Sequence, residues 1–347
     1  MRRPLAWALG VAALVVLLVL PLSARPYVNL QLTLIATYAI AIRGLDVLAG
    51  HAGQASLGQS AFFGLGAYTA AYAYGHDWPI VASLAVTLAL AGAVGAVIAV
   101  PAVRVRGFAF GIITLTLPVV AVPLATRLSD LTGGSQGQVV TAGDAPGWTG
   151  LADDQWHYYV VLAAAATTFL LVQNLLRGRV GRALDLLRTD ETVATSTGIP
   201  VRRYKVLAFT VAALCGALAG WLYLIPVQFI SPDALRLDLS VSLLVAAVIG
   251  GLRSPVGAVI GAAFYVLVPN LTDKISPGRS YLVSGVVLLL VLLFFRTGVS
   301  GGLSALVRRV AARWRPPPSD RADPTAASSS RRRIGRQTPR RSHATTR

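Results

Sequence analysis

The sequence predicts an all-α polytopic membrane protein, with about ten transmembrane helices, some short or re-entrant, and both termini cytoplasmic. Three observations predict it. Of 347 residues, 55% are hydrophobic and only 13% are charged, with a mean hydropathy of +0.65. A soluble domain is about half apolar but roughly a quarter charged. The charge deficit therefore excludes a surface covered by water. Apolar runs also recur at the length of about 20 residues that crosses a bilayer. Finally, arginine gathers in alternate loops, the bias that orients spans in the membrane.

The runs are 5–22, 30–49, 56–75, 79–100, 107–128, 158–176, 206–226, 239–252, 255–271 and 281–295. The first resembles a signal peptide, but it is long, and Leu22-Ser23-Ala24 is only a fair cleavage site. It reads as an uncleaved span. The eighth is short and ends in glycine, so it and the ninth read as a tilted or re-entrant pair. Removing both leaves the parity of the others unchanged. With ten spans, Arg2, Arg3, Arg104, Arg106, the cluster Arg177 to Lys205, Arg253, Arg296, Arg308 and Arg309 fall on one side, the cytoplasm. Segment 129–157 carries aspartates without lysine or arginine and falls outside. The exceptions are Arg25, Arg127, Lys274 and Arg279.

Between the second and third runs stands GHAGQASLGQSAFFGLGAY, residues 50–68. A linker is excluded, because the stretch is continuous with two apolar runs of opposite direction. Irregular backbone at membrane depth must be covered by protein or water. Gly50, Gly53 and Gly58 predict a turn or broken helix facing the interior, and Gly64 and Gly66 predict close helix packing. Gln54, Ser56, Gln59 and Ser60 either satisfy freed backbone groups or offer hydrogen bonds to a polar solute. Gly53, Gln54, Ser56, Gly58, Gln59 and Ser60 are thus pathway candidates. By orientation the Gly50–Gly58 end lies near the cytoplasm, unless it is re-entrant and reaches the midplane.

Arg43 and Asp46 lie in the second run at i,i+3 spacing, on one helix face. A charge within a span costs about 2.5–3.5 kcal/mol on insertion scales. A mutual ion pair reduces that cost, and a role in the solute path is the alternative. Pro118 and Pro123 predict kinks in the fifth span. LTGGSQGQ, residues 131–138, begins the external loop. It reads as a flexible turn, or as an external gate built on Thr132, Gly133, Gly134 and Ser135.

The largest internal loop, 177–205, reads RGRVGRALDLLRTDETVATSTGIPVRRYK. Its apolar spacing predicts one or two short amphipathic helices on the cytoplasmic face. Gly198 predicts their end, through a left-handed C-cap, and Pro200 prevents resumption. An arginine-rich interfacial helix lying on lipid is one reading. Asp190 and Glu191 beside a small-residue face favour docking into a protein groove.

Here the sequence resembles the branched-chain amino acid permeases of the LivM type. Glu191, Ala194 and Gly198 match the E-A-A…G motif of ABC importer permeases. LAGHAGQASLGQSAFFGLGAYTAA resembles that family's G-x-x-GQ-x-SLG-x-x-x-FFG-x-GAY signature, and RGFAFGIITLTL, LTGGSQG and LLVAAVIGGLRSPVGAVIGA match the blocks after it in order, over about residues 40 to 300. The resemblance implies a permease subunit paired with a second, related permease. It implies two cytoplasmic ABC ATPases as well, and an extracytoplasmic substrate-binding protein. It further implies that Arg188, Asp190, Glu191, Ala194, Gly198, Ile199 and Pro200 form the loop that couples to an ATPase. Thr192, Thr195, Ser196 and Thr197 depart from the family's alanines and acidic residues, which weakens helix propensity and exchange with foreign ATPases.

No G-x-x-x-x-G-K-[ST] occurs in the sequence, so no P-loop hydrolyses ATP here; ATP and magnesium belong to the partner ATPases. His51, His76, His157 and His343 are too scattered for a metal pair, and Cys215 stands alone. No cofactor, metal, enzymatic activity or nucleic-acid binding is expected. The net charge of +17 is concentrated in arginine, much of it in a proline- and serine-rich tail from Arg313. The tail reads as disordered and solvated, with anionic membrane lipid as a second contact. The expected domains are 1–29 (first span and flank), 30–300 (permease) and 301–347 (basic tail), in a bacterial inner membrane. Import of urea or short amides is an alternative on the same fold. An ion-coupled secondary transporter using Arg43 and Asp46 as relay is a more distant one.

Overall fold

A computed structural model describes residues 17–275, apart from 106, 107, 142, 144 and 148. Most of the expected first span, all of the tenth, and the tail lie outside the described residues. Residues 17–23 are helical (α1). α2 spans Pro26–Leu45 and passes into a π-helical turn, Asp46–His51. Irregular chain at 52–58 leads into α3, Gln59–Gly75, followed by α4, Ile80–Ala102, and α5, Phe108–Arg127. A single turn, α6 (Ser129–Thr132), opens the loop to α7, Asp153–Arg177. Two short helices follow, α8 (Arg179–Thr189) and α9 (Glu191–Ser196). α10 spans Val201–Val227, α11 Leu237–Gly250 and α12 Pro255–Ile275.

Six of the described helices are long and apolar enough to cross a membrane. Their outward faces carry bare apolar side chains, such as Val81, Val97 and Leu170, each more than two-thirds exposed. Water would not tolerate that surface; hydrocarbon does. The chain is a multi-pass membrane protein. α2 and α10 form the centre, since 72% of each apolar window is buried against 22% for α4, α5 and α7.

Small residues bring the central helices together. A Cβ at Gly66 would overlap the Ala217 carbonyl, and one at Gly220 would overlap the Phe63 carbonyl. Backbone thus meets backbone between α3 and α10. Beside this contact Tyr38, Phe63, Tyr223 and Tyr265 pack as an aromatic cluster, with Tyr38 and Tyr265 edge-on at 4.8 Å.

Several expectations change in detail. α7 and α10 begin about five residues before the expected runs. Their first turns carry Asp153, Asp154, Arg202 and Arg203, so the helices project past the apolar layer. α5 stays helical through Pro118 and Pro123. The fold is not purely helical: Gln138–Val139 (β1) pairs antiparallel with Phe229–Ile230 (β2). Arg236 joins Arg25 and Arg127 as a basic residue at the end opposite the arginine cluster, paired there with Asp233 and Asp238. α11 rises about 21 Å, short of the roughly 30 Å hydrocarbon layer.

Candidate functional site

The stretch 52–58 is irregular, with alternating burial: Ala52, Gln54, Ser56 and Gly58 are buried, while Gly53 and Ala55 are exposed. It runs along α5. The Ala55 carbonyl lies against Gly111, Leu57 N–H donates to Thr114 Oγ1 at 3.0 Å, and Gly58 faces Leu117. From Gly111 to Leu117 is about 9 Å of helix. The chain therefore turns back into the layer before α3 starts, and α5 covers its backbone, as irregular structure at that depth requires. Gly53 takes φ +69, and the Arg188 side chain packs over it.

The pathway candidates separate by how their polar groups are used. Gln59 Nε2 donates to the carbonyls of Ala41 (3.3 Å) and Ala212 (3.2 Å), joining α3 to α2 and α10. Ser60 Oγ donates to the Leu235 carbonyl at 3.0 Å, and Ser60 N–H donates to Ser240 Oγ at 2.8 Å. Ser56 Oγ accepts from Gly58 N–H. These groups hold the fold. Gln54 differs: it is 5% exposed, and neither end of its carboxamide has a protein partner.

A cavity of 720 Å³ lies between α3, α4 and α5. Its wall is mainly apolar, with Val94, Leu117 and Leu235, and includes Tyr68, Tyr72 and Thr132. The Tyr68 hydroxyl is buried without a partner. Thr132 Oγ1 donates to Ala125 O (2.5 Å) and accepts from Gly134 N–H (3.2 Å). Gly133, Gly134 and Gly137 all take positive φ, which lets this loop fold back and lead into β1. Gly134 is buried, whereas Gly133 and Ser135 are exposed.

At the arginine-rich end, α8 buries Gly181, Ala183, Leu184 and Leu187. Asp190 caps α9: its Oδ1 accepts from Thr192 N–H (2.7 Å) and Val193 N–H (3.3 Å). These bonds hold its carboxyl below the ordinary carboxylate range. At the other end Ile199 N–H reaches Ala194 O, Gly198 N–H reaches Thr195 O, and Gly198 takes φ +79. That is a Schellman stop. Pro200 then precedes α10. Glu191 pairs with buried Lys205 of α10, and Ala194 is fully buried beneath the helix. Thr195, Ser196 and Thr197 each bond back to an α9 carbonyl. The exposed face presents Thr192, Val193, Thr195 and Ser196.

Arg43 and Asp46 form the expected ion pair at 2.5 Å, almost wholly buried. Arg43 Nη2 also donates to Gln173 Oε1 at 2.8 Å, and Asp46 Oδ1 accepts from Arg253 N–H. Asp185, Gln173, His51 and Arg253 enter this region without having been singled out from sequence. Asp185 Oδ1 lies 2.6 Å from Arg253 Nη2 and 3.3 Å from His51 Nδ1. Arg188 Nη1 donates to the Gly50 carbonyl at 2.5 Å. The i,i+3 spacing of Asp185 and Arg188 on one amphipathic helix was the available signal.

Comparison with known proteins agrees with the sequence blocks. Residues 28–292 match the family model described as branched-chain amino acid transport system, permease component. The chain is 28% identical over 287 residues to the high-affinity branched-chain amino acid transport system permease protein LivM of Escherichia coli K12, covering 75% of this chain and 67% of that one. The protein of the same description from Salmonella typhimurium LT2 is 26% identical, with the same coverage. A solved structure, PsaBC from Streptococcus pneumoniae in complex with Fab, aligns at 15% identity over 78% of this chain and 92% of that one, with a TM-score of 0.41. That likeness is too loose to bear on the argument.

Proposed function

The chain belongs to the branched-chain amino acid transport permease family, and on that premise we propose that it is the membrane subunit of an ATP-driven importer for branched-chain or related amino acids. In this reading it pairs with a second, related permease. Two cytoplasmic ATPases hold the ATP and magnesium, and an extracytoplasmic binding protein delivers the solute. Ten spans place both termini in the cytoplasm of a bacterial inner membrane. Residues 30–300 form the permease, 1–29 the first span and flank, and 301–347 a basic tail.

The observation that carries the proposal is α9. A six-residue helix is too short to persist alone. This one is fixed at its start by Asp190, at its end by Gly198 and underneath by the Lys205–Glu191 pair. Yet it leaves Val193 47% exposed among small hydroxyl residues. A rigid small element with a bare apolar residue suits the groove of an ATPase. Arg188, Asp190, Glu191, Ala194, Gly198, Ile199 and Pro200 then position the docking face more than they contact the partner.

The apolar cavity favours a solute with an aliphatic side chain over urea or short amides. On its wall the Tyr68 hydroxyl supplies an unpaired group for a polar head, and Gln54, outside that wall, offers another along the chain's inward turn. Thr132, Gly133, Gly134 and Ser135 would close the external side. Arg43 and Asp46 have their charges tied to each other and to neighbours, which supports a positional role over a proton or sodium relay.

The test is uptake by proteoliposomes containing all subunits, with leucine, isoleucine, valine, urea and acetamide compared. Uptake of the aliphatic amino acids should require ATP. Uptake that persists without ATP and follows an imposed ion gradient would overturn the reading. Glu191→Lys, which opposes two cations, should leave ATP hydrolysis running without uptake.

A further inference from the structure

We propose that Asp185 and Arg253 are positioning residues of a polar latch that passes movement of α8–α9 to the inward-turned stretch 52–58. The proposal rests on the importer reading for what moves the loop, but the latch itself stands on contacts within this chain.

α8 touches the broken end of α2 through one face. Asp185 and Arg188 are three residues apart and point the same way. Asp185 holds Arg253 at 2.6 Å and faces His51 at 3.3 Å, while Arg188 holds the Gly50 carbonyl at 2.5 Å. That carbonyl lies at the helix end, where backbone acceptors lack intrahelical donors and cations are favoured. Arg253 then continues the connection, since its backbone N–H donates to Asp46, which pairs with Arg43. Arg43 reaches Gln173 of α7, and α7 joins α8 through Gly178. The contacts therefore form a closed ring around the break, drawn from segments up to 207 residues apart in sequence.

The two sides of the ring differ in rigidity. α8 meets α9 at one extended residue, Asp190, whose side chain caps α9, and Glu191 pins α9 to Lys205 of α10. The stretch 52–58 has no ladder of its own; its bonded backbone donors use Val47 O and Leu48 O at its start, then Thr114 Oγ1 and Ser56 Oγ. The turn that carries Arg253 is held at φ +67, a region that residues with side chains adopt only where their surroundings impose it. A rigid lever tied to a soft segment through a constrained turn gives the two-arrangement element that transmission between sites requires. Asp185 and Arg253 are both near half exposed, so water can replace their contact when α8 shifts. A deeply buried pair would not let go.

The experiment uses the full chain. Asp185→Asn and Arg253→Gln are each reconstituted with the partner permease, ATPases and binding protein, and radiolabelled leucine uptake is divided by ATP hydrolysed. The ratio should fall roughly five- to tenfold, the lower range of coupling between sites, with the thermal melting point unchanged. The exchanged pair D185R with R253D should recover most of it. In parallel, backbone amides of 50–58 in the full chain, in nanodiscs without partners, should exchange hydrogen faster in D185N than in wild type. If wild type shows no ATP-driven uptake, the importer reading fails while exchange still reports on the latch. An unchanged ratio, or a drop accompanied by an equal loss of thermal stability, overturns the proposal. Should D185N not fold, Arg188→Gln removes the Gly50 contact alone and carries the same expectation.

Discussion

Replacing Arg43 by methionine and Asp46 by leucine, singly and together, measures what holds the bend of α2. The pair is 2.5 Å apart, with side-chain exposures of 1% and 3%. Removing one member of such a pair strands the other charge, at a cost of about 3–5 kcal/mol. In Arg43→Met, Asp46 keeps only the Arg253 N–H as a partner. In Asp46→Leu, Arg43 keeps Gln173, and the Arg253 N–H loses its acceptor. The double variant buries no charge. It leaves the Arg253 N–H and Gln173 unpaired, about 1–3 kcal/mol for a buried group and less for one that reaches water. The double variant should therefore be no less stable than either single, giving a favourable coupling of about 2 kcal/mol or more. The assay is SDS-titrated unfolding of the full chain in mixed micelles, followed by tryptophan fluorescence. Costs that add to within about 0.5 kcal/mol would refute the pair as the origin of the stability. Uptake should follow the same order; a double variant that transports no better than the worse single would refute it independently.

Gly66→Ala should destabilise by about 1–3 kcal/mol, because its Cβ would overlap the Ala217 carbonyl. Gly92→Ala, with Leu214 at 3.6 Å, should be neutral or gain up to about 1 kcal/mol in the same unfolding assay. Asp190→Ala should fray α9, read as faster proteolysis of the loop. Because the folded carboxyl is held below its ordinary value, the stabilisation is present above the unfolded pKa of about 3.9 and is lost as pH falls through the folded value. Wild type and D190A should thus differ at pH 6 and converge at the acid end, once the pH lies below the depressed folded value. Gln54→Leu removes the two unpaired amide atoms and should leave folding intact while lowering leucine uptake; full uptake would remove Gln54 from the pathway.

The spans were legible wherever an apolar run filled a helix, as in Ile80–Ala102 and Phe108–Arg127, which match the expected runs to within two residues. The charged first turns of α7 and α10 were not, because hydropathy reports the membrane rather than the helix. Glycine and proline chemistry was legible locally: Gly198 and Pro200 mark the end of α9 as the sequence implied. The inward turn at 52–58 was foreseen only as an option, since depth depends on the neighbour, α5. Least legible were partners joined across the chain. Nothing near Gln59 in sequence announces Ala212, and Arg253 read merely as one more orienting charge. Gln59 and Ser60 looked available for a solute only because their partners lay 153 and 175 residues away.

The glycine contact between α3 and α10 has a mechanical consequence. Phe63 O sits in the notch of Gly220, and Ala217 O in the notch of Gly66. Each helix is keyed into the other at two points, so neither can slide or roll without climbing a carbonyl. The pair therefore behaves as a spar. Strain imposed at the loop end has to be absorbed by the helices hung around it, α4 and α5 above all, whose facing sides leave the cavity open.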